Sequence, residues 1–210
     1  MTATTNRQKK ALKRIASEKY DYIIGIDEVG MGCWAGPIVV AGVVFEKKWK
    51  NPKVKDSKTL THKKRMEVWE KIIDPESEDV CVLSQTAMYI DRMGVEHVRK
   101  ELTEGIVLYL RHRFPDSIVV QDGLDPVPAY GERRMLALPK ADALVPAVSA
   151  ASIVAKISRD LHMHWQAQRY PQYGFSTNVG YHSQKHVSGL ERHGPCPLHR
   201  RSYKPLRRYC

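Results

Sequence analysis

The chain has no apolar run long enough to cross a membrane. Its longest, Ile38 to Phe45, falls far short of the roughly 20 residues that a spanning helix needs. No C-x-x-C pair occurs among the four cysteines, Cys33, Cys81, Cys196 and Cys210. That argues against a disulfide framework and for reduced thiols, in a cytoplasmic compartment or, in a eukaryote, a nuclear one. The N-terminus, M-T-A-T-T-N-R-Q-K-K, contains no apolar stretch, which predicts no secretory signal. No internal repeat and no low-complexity segment is present, and no acidic residue follows Glu191. His193, Cys196 and His199 have the spacing H-x-x-C-x-x-H, but no fourth ligand stands near them, and structural zinc takes four.

What the chain has is positive charge and a core. Its 34 Lys+Arg outnumber 23 Asp+Glu, for a net +11 over 210 residues, and 42% of the residues are hydrophobic. The length suits one domain, or one domain with an appended lobe. The charge favours a polyanionic partner, nucleic acid ahead of an anionic membrane.

Apolar patterning predicts strands over 22–28 and 36–46, then a Lys-rich loop over 46–58. A helix capped by Thr59 or Thr61 runs to about Ile73, and a strand over Val80–Tyr89 follows. Val95, Val98, Leu102, Ile106 and Leu110 recur every three to four residues, which predicts a helix over Gly94–Phe114. Ser117–Val120 and Met135–Leu138 read as short strands. Pro146 opens a long helix to about Tyr170, and a second helical piece covers 182–192. Residues 1–20 form a basic arm, a short helix or a frayed one. Strands followed by helices indicate an α/β layered domain. Arg192, Arg200, Arg201, Lys204, Arg207 and Arg208, with Tyr181, Tyr203 and Tyr209 among them, suggest a C-terminal surface for phosphate and sugar.

Four carboxylates carry the chemistry. Asp27 and Glu28 close the first strand, Asp122 closes another, and Asp142 follows a third short run. Each one alone reads as a turn or cap residue. Together, on neighbouring strands, they would converge on one sheet edge, where they repel unless cations stand between them. Two Mg²⁺ or Mn²⁺ ions about 3.5–4 Å apart would fit, and such pairs serve in-line phosphoryl displacement. Adjacent residues on a strand point to opposite faces, so Asp27 and Glu28 share a metal only if the strand ends or bends there, as Gly30 and Gly32 would allow.

The motifs resemble those of type 2 ribonuclease H, the ribonuclease HII family. They are G-I-D-E-V-G-M-G and A-G-P at 25–32 and 35–37, D-S-K at 56–58, and Q-D-G at 121–123. The series continues with K-A-D-A at 140–143, S-A-A-S-I-V-A-K-I-S-R-D at 149–160, G-Y-H-S at 180–183 and H-R-R-S-Y at 199–203. The resemblance implies a ribonuclease H-like fold: a mixed five-stranded sheet flanked by helices, with a C-terminal helical extension. It implies a catalytic domain over 21–170 and a basic substrate-binding extension over 171–210. Its substrates would be RNA–DNA hybrids and duplex DNA containing single ribonucleotides, cut 5′ of the ribonucleotide by a monomer. Asp27, Glu28, Asp122 and Asp142 match the metal-binding and catalytic positions. Gly30, Met31 and Gly32 match the turn that reads the ribose 2′-hydroxyl, Tyr181 matches a tyrosine that packs on the following deoxyribose, and Lys58 matches a lysine near the phosphates.

Two positions depart from the family pattern. Met31 stands where the pattern has arginine, which removes a guanidinium from the turn but keeps its backbone groups. Trp34 is unusual in this segment and serves either the core or nucleic-acid contact. His182, His186 and His199 lie near recognition motifs and read as structural histidines ahead of phosphate contacts.

Overall fold

A computed structural model describes residues 5–51, 54, 60–124 and 134–210. The elements run α1 (Asn6–Ser17), β1 (Tyr22–Val29), β2 (Ile38–Glu46), α2 (His62–Val68), a π-helical turn (Trp69–Ile73), α3 (Asp74–Glu76), β3 (Asp79–Gln85) and α4 (Ala87–Met93). There follow α5 (Val95–Arg113), β4 (Ser117–Asp122), β5 (Met135–Leu138), α6 (Pro146–Arg169), α7 (Phe175–Asn178) and α8 (Gln184–His193).

The five strands form a mixed sheet in the order β3-β2-β1-β4-β5. β1 and β4 pair in parallel, with Ile26 opposite Gln121, and β4 and β5 pair in parallel, with Asp122 opposite Leu138. β2 is buried along its whole length except Glu46, as expected of a strand covered on both faces. β3 lies at the edge and has no buried residue, being half-buried over Asp79–Cys81 and alternately exposed and half-buried beyond. It is shorter than its apolar pattern predicts. Thr86 accepts a hydrogen bond from the Tyr89 amide at 3.3 Å and starts α4 there, so the side-chain cap overrides strand propensity. The basic arm is a helix, α1, closed by a capping box between Thr5 and Gln8.

The chain forms two compact units. One comprises Met1–Asp27, Ala41–Val82 and Thr103–Val154; the other comprises Glu28–Val40, Leu83–Leu102 and Ala155–Cys210. In the first, β1 and the start of α6 approach closely at Gly25. A Cβ there would lie 2.1 Å from the Ala147 carbonyl carbon, so only glycine fits. The second unit is built around Ala35, Met163, Tyr173, Phe175, Val179, Leu190, Cys196 and Leu206, with Trp34 and Tyr203 packed against them.

Candidate active site

In the first unit, two carboxylates stand near the carboxyl ends of neighbouring parallel strands, Asp27 in β1 and Asp122 in β4, and a third, Asp142, follows β5 in a turn. The pairing of β1 with β4 ends at Ile26 opposite Gln121, and Asp27 and Asp122 are the next residues on the two strands. β5 ends at Leu138, and a tight turn carries the chain to Asp142. Asp27 is 4% exposed and Asp142 3%. The Asp122 carboxylate accepts the Ala141 N–H at 2.8 Å, which ties the turn bearing Asp142 to the end of β4.

Glu28 is joined to Asp27 by a peptide bond and begins the second unit. β1 stays extended through Glu28 to Val29, and the chain turns at Gly30, where φ is 96°. The bend expected at the Asp27–Glu28 pair therefore falls two residues later. The two side chains alternate across the strand.

The donor set fits a hard divalent cation, because it consists of carboxylate oxygens alone. Two such acids buried beside a third favour positive charge among them. Among the described residues, no three His, Cys, Asp or Glu side chains are gathered into a ready cation cage. The fold supplies the strand-end arrangement, not a finished cage. Lys58 lies outside the described residues.

The second unit holds the glycine turn in place with two fully buried guanidiniums. Arg159 donates to the carbonyls of Pro37 (2.9 Å), Ala35 (3.0 Å) and Val179 (2.8 Å). Arg200 donates to the carbonyls of Gly36 (3.0 and 3.1 Å) and Met31 (3.0 Å), and to the Tyr203 hydroxyl at 2.8 Å. That hydroxyl in turn donates to the Met31 carbonyl at 2.6 Å. Burial pushes Arg200 below its ordinary range, yet a guanidinium keeps its charge. Carbonyl dipoles are the groups that satisfy both cations. Arg200 was expected in the exposed basic cluster; its role is internal.

The two turn glycines differ in what requires them. A Cβ on Gly30 would lie 2.5 Å from Arg159 Nε and 2.7 Å from the Pro37 carbonyl oxygen, and its φ is left-handed. A Cβ on Gly32 would meet nothing within 4 Å. Gly30 is required by the fold, whereas Gly32 leaves its surroundings open.

Tyr181 is 41% exposed, yet its hydroxyl is pushed up to about 12, first by burial and then by the Cys33 thiol. The two facts agree if the hydroxyl end is anchored inside and a ring face is left to solvent. The Arg159 guanidinium carbon lies 5.7 Å and Lys156 Nζ 6.0 Å from the ring centroid. Val179, just upstream, is left-handed at φ 41°, an outlier for a β-branched residue. Its carbonyl is held by Arg159, and the following Gly180 amide by Asn178 Oδ1 at 2.8 Å. Among the described residues, the non-glycine left-handed positions are Lys140 and Val179. Each stands two residues before a predicted site residue, Asp142 or Tyr181. Such strain persists only where its surroundings over-determine it.

His186 and His199 form a buried pair that ends on the Tyr181 carbonyl. Both nitrogens of His199 are engaged, Nδ1 by the Cys196 amide and Nε2 by His186, so two members of the H-x-x-C-x-x-H motif, Cys196 and His199, are joined by a hydrogen bond. Trp34 packs against the core and sets its edge against His182 at 4.7 Å. The sequence reading missed Arg159, Arg200 and Tyr203 as anchors. Their presence in the motifs S-A-A-S-I-V-A-K-I-S-R-D and H-R-R-S-Y was the available signal, but a buried arginine and a surface one look alike in a string of letters.

A mixed five-stranded sheet flanked by helices is the layered arrangement of the ribonuclease H-like fold. The comparisons agree. The family model described as Ribonuclease HII matches residues 24–206. A relative from Limosilactobacillus reuteri named Ribonuclease HII is 38% identical over 213 residues, covering 97% of this chain and 81% of that protein. Another of that name, from Shewanella loihica, is 36% identical, covering 93% of this chain and 95% of that one. The crystal structure of ribonuclease H2 from Pyrococcus horikoshii superposes with a TM-score of 0.73 at 30% identity, covering 90% of this chain and 96% of that one. A ribonuclease HIII crystallised with Mn²⁺ shares the fold, with a TM-score of 0.73 at 19% identity, covering 93% of this chain and 71% of that one. The chain belongs to the ribonuclease HII family. It is an endonuclease of that family, whose activity is cleavage of the RNA strand in RNA–DNA hybrids.

Proposed function

We propose that this ribonuclease also cuts on the 5′ side of single ribonucleotides embedded in duplex DNA, with two Mg²⁺ or Mn²⁺ ions held by Asp27, Asp122 and Asp142, and with Glu28 brought to them by a local bend of β1 when metal binds. The observation that supports the reading is the parallel register that ends at Ile26 opposite Gln121, one residue before Asp27 and Asp122, with Asp142 tied to Asp122 through Ala141. When bound, such ions activate water and stabilise the leaving oxygen. The Mn²⁺ complex of the ribonuclease HIII neighbour is consistent with that requirement.

The remaining residues select the substrate. The 2′-hydroxyl is both donor and acceptor and is the group that distinguishes RNA from DNA. The Gly30–Met31–Gly32 turn offers backbone groups to it, and the open space at Gly32 supports close approach of a ligand there. The Tyr181 ring face packs on the next sugar, where a hydroxyl would crowd it, so the pair reads an RNA-to-DNA step. Lys58 and the exposed C-terminal arginines contact phosphates. Met31 withholds a charge-assisted phosphate contact that would contribute about 1.5–3 kcal/mol. Junction preference is therefore weaker than in a chain carrying arginine at this position. The enzyme works as a cytoplasmic monomer.

The test is cleavage of a DNA duplex carrying one ribonucleotide, with and without Mg²⁺ or Mn²⁺, beside an Asp27→Asn control. A metal-dependent cut 5′ of the ribonucleotide, lost in the control, is the expected result. Binding without cutting in either metal would refute the catalytic reading, and cutting of long hybrids alone would refute junction recognition. Met31→Arg is expected to tighten binding at the junction; unchanged binding and cleavage across substrates would remove Met31 from the account.

A further inference from the structure

Gln8 makes two hydrogen bonds that serve different purposes. Its Oε1 accepts the Thr5 N–H at 2.7 Å, which closes the capping box of α1. Its Nε2 donates to the carbonyl of Pro139 at 2.9 Å, a partner 131 residues away in the chain. The residue is 8% exposed. Beside it, the Arg7 guanidinium donates to the Leu124 carbonyl. Leu124 follows Asp122 by two residues, and Pro139 precedes Asp142 by three. Consecutive residues in the first turn of α1 thus hold the backbone of both segments that carry these carboxylates. All of these residues belong to the first unit.

The segment so held is strained. Lys140 adopts left-handed backbone, φ 58° and ψ 37°, a region that non-glycine residues rarely occupy. Bonds on either side hold it there. Gln8 fixes the Pro139 carbonyl before it, and Asp122 fixes the Ala141 amide after it at 2.8 Å. The Val145 amide then closes on the Ala141 carbonyl at 2.8 Å. Without the Gln8 bond, Lys140 has one fewer restraint against relaxing toward ordinary backbone, and Asp142 lies two residues downstream of that change.

We propose that Gln8 is a positioning residue for the carboxylate site. Through Pro139 it keeps Lys140 left-handed and so fixes where Asp142 presents its carboxylate to a divalent cation. The inference rests on the carboxylate-site reading above. The amide is suited to this double role because it carries an acceptor for the cap and a donor for the carbonyl. A glutamate could fill the first role only.

The experiment is Mn²⁺ binding to the full chain without nucleic acid, followed by calorimetry, for wild type, Gln8→Glu and Gln8→Met. Gln8→Glu keeps the cap acceptor and removes the donor; Gln8→Met removes both with little change of shape. Both variants are expected to unfold cooperatively and to bind Mn²⁺ on the order of tenfold more weakly. Cleavage is expected to recover at saturating metal, with KM for the duplex unchanged. Adding Lys140→Gly should restore part of the affinity, because glycine adopts left-handed backbone without the Cβ penalty. Equal Mn²⁺ affinity in wild type and both variants would overturn the proposal alone. A wild type that binds no Mn²⁺ would overturn the carboxylate-site reading beneath it.

Discussion

His199 Nε2 lies 2.9 Å from His186 Nε2, and both rings are buried. The protons on this pair follow from its neighbours. The Cys196 N–H donates to His199 Nδ1 at 2.9 Å, so His199 carries its proton on Nε2 and donates it to His186. The proton of His186 then sits on Nδ1, 2.8 Å from the Tyr181 carbonyl. The 3.3 Å approach of His199 Nδ1 to the Cys196 carbonyl would need a proton on that nitrogen, and the shorter amide bond excludes it. Both rings are neutral, and a second proton on either would place two N–H groups face to face.

Stability should therefore fall in mild acid. Burial first, then the neighbouring His186, holds His199 down to about 4, and burial lowers His186 as well. A histidine whose folded value lies below its ordinary 6.5 stabilises the fold while neutral. For His199 the contribution is complete above about pH 6.5 and is lost as pH falls toward 4, on the order of 3 kcal/mol in all. Urea unfolding at several pH values across that window measures it. His199→Asn, which keeps an acceptor for the Cys196 amide, should be weaker at neutral pH and show a flatter slope. A slope equal to wild type would assign the acid loss to other groups.

The two turn glycines should separate folding from function. Gly30→Ala forces a left-handed Cβ into Arg159 and the Pro37 carbonyl, at a cost of roughly 2 kcal/mol or more. Gly32→Ala meets open space and should leave the unfolding midpoint within a degree or so of wild type, since its effect on stability is of order 0.5 kcal/mol or less. Its cleavage of ribonucleotide-containing duplex should nevertheless drop. Thermal unfolding beside cleavage rates decides this, and full activity in Gly32→Ala would remove the turn from substrate recognition.

Tyr203→Phe removes one hydroxyl that both donates to the Met31 carbonyl and accepts from Arg200. The cost in stability should be about 1–2 kcal/mol. The more telling effect is on selectivity, because the freed turn should discriminate less between a ribonucleotide and its 2′-deoxy counterpart. Competition binding between the two duplexes measures this. Unchanged discrimination would make Tyr203 a purely structural anchor.

Divalent cations should stabilise the folded chain. At a hundred times the dissociation constant the gain is about 2.7 kcal/mol, read as a rise in unfolding midpoint on adding Mg²⁺ or Mn²⁺. Asp27→Asn and Asp142→Asn should each lose most of that rise and reduce cleavage by at least about 10²-fold. Retention of the full rise in both variants would place the ions elsewhere.

The alternation and periodicity of apolar residues made most elements legible, because burial of β1, β2, β4 and α5 depends on pattern alone. Position at or after a buried run is what singled out Asp27, Glu28, Asp122 and Asp142 as candidates, since a charge closing such a run is costly without a purpose. β3 was read too long because a threonine cap is weaker in sequence than a run of apolar residues, though strong enough in the structure to start α4.

The residues that hold the site were not legible. Arg159 and Arg200 find carbonyls, not carboxylates, so no partner of opposite sign marks them in the sequence. Gln8 reads as half of a capping box, and its bond to Pro139 spans 131 residues. The sequence by itself determined the class of fold, since that depends on local pattern and on composition. The tertiary structure decided which arginines turn inward, where Lys140 and Val179 are strained, and which protons His186 and His199 carry. Those features depend on backbone groups brought together from distant parts of the chain, and every residue has the same backbone groups whatever its letter.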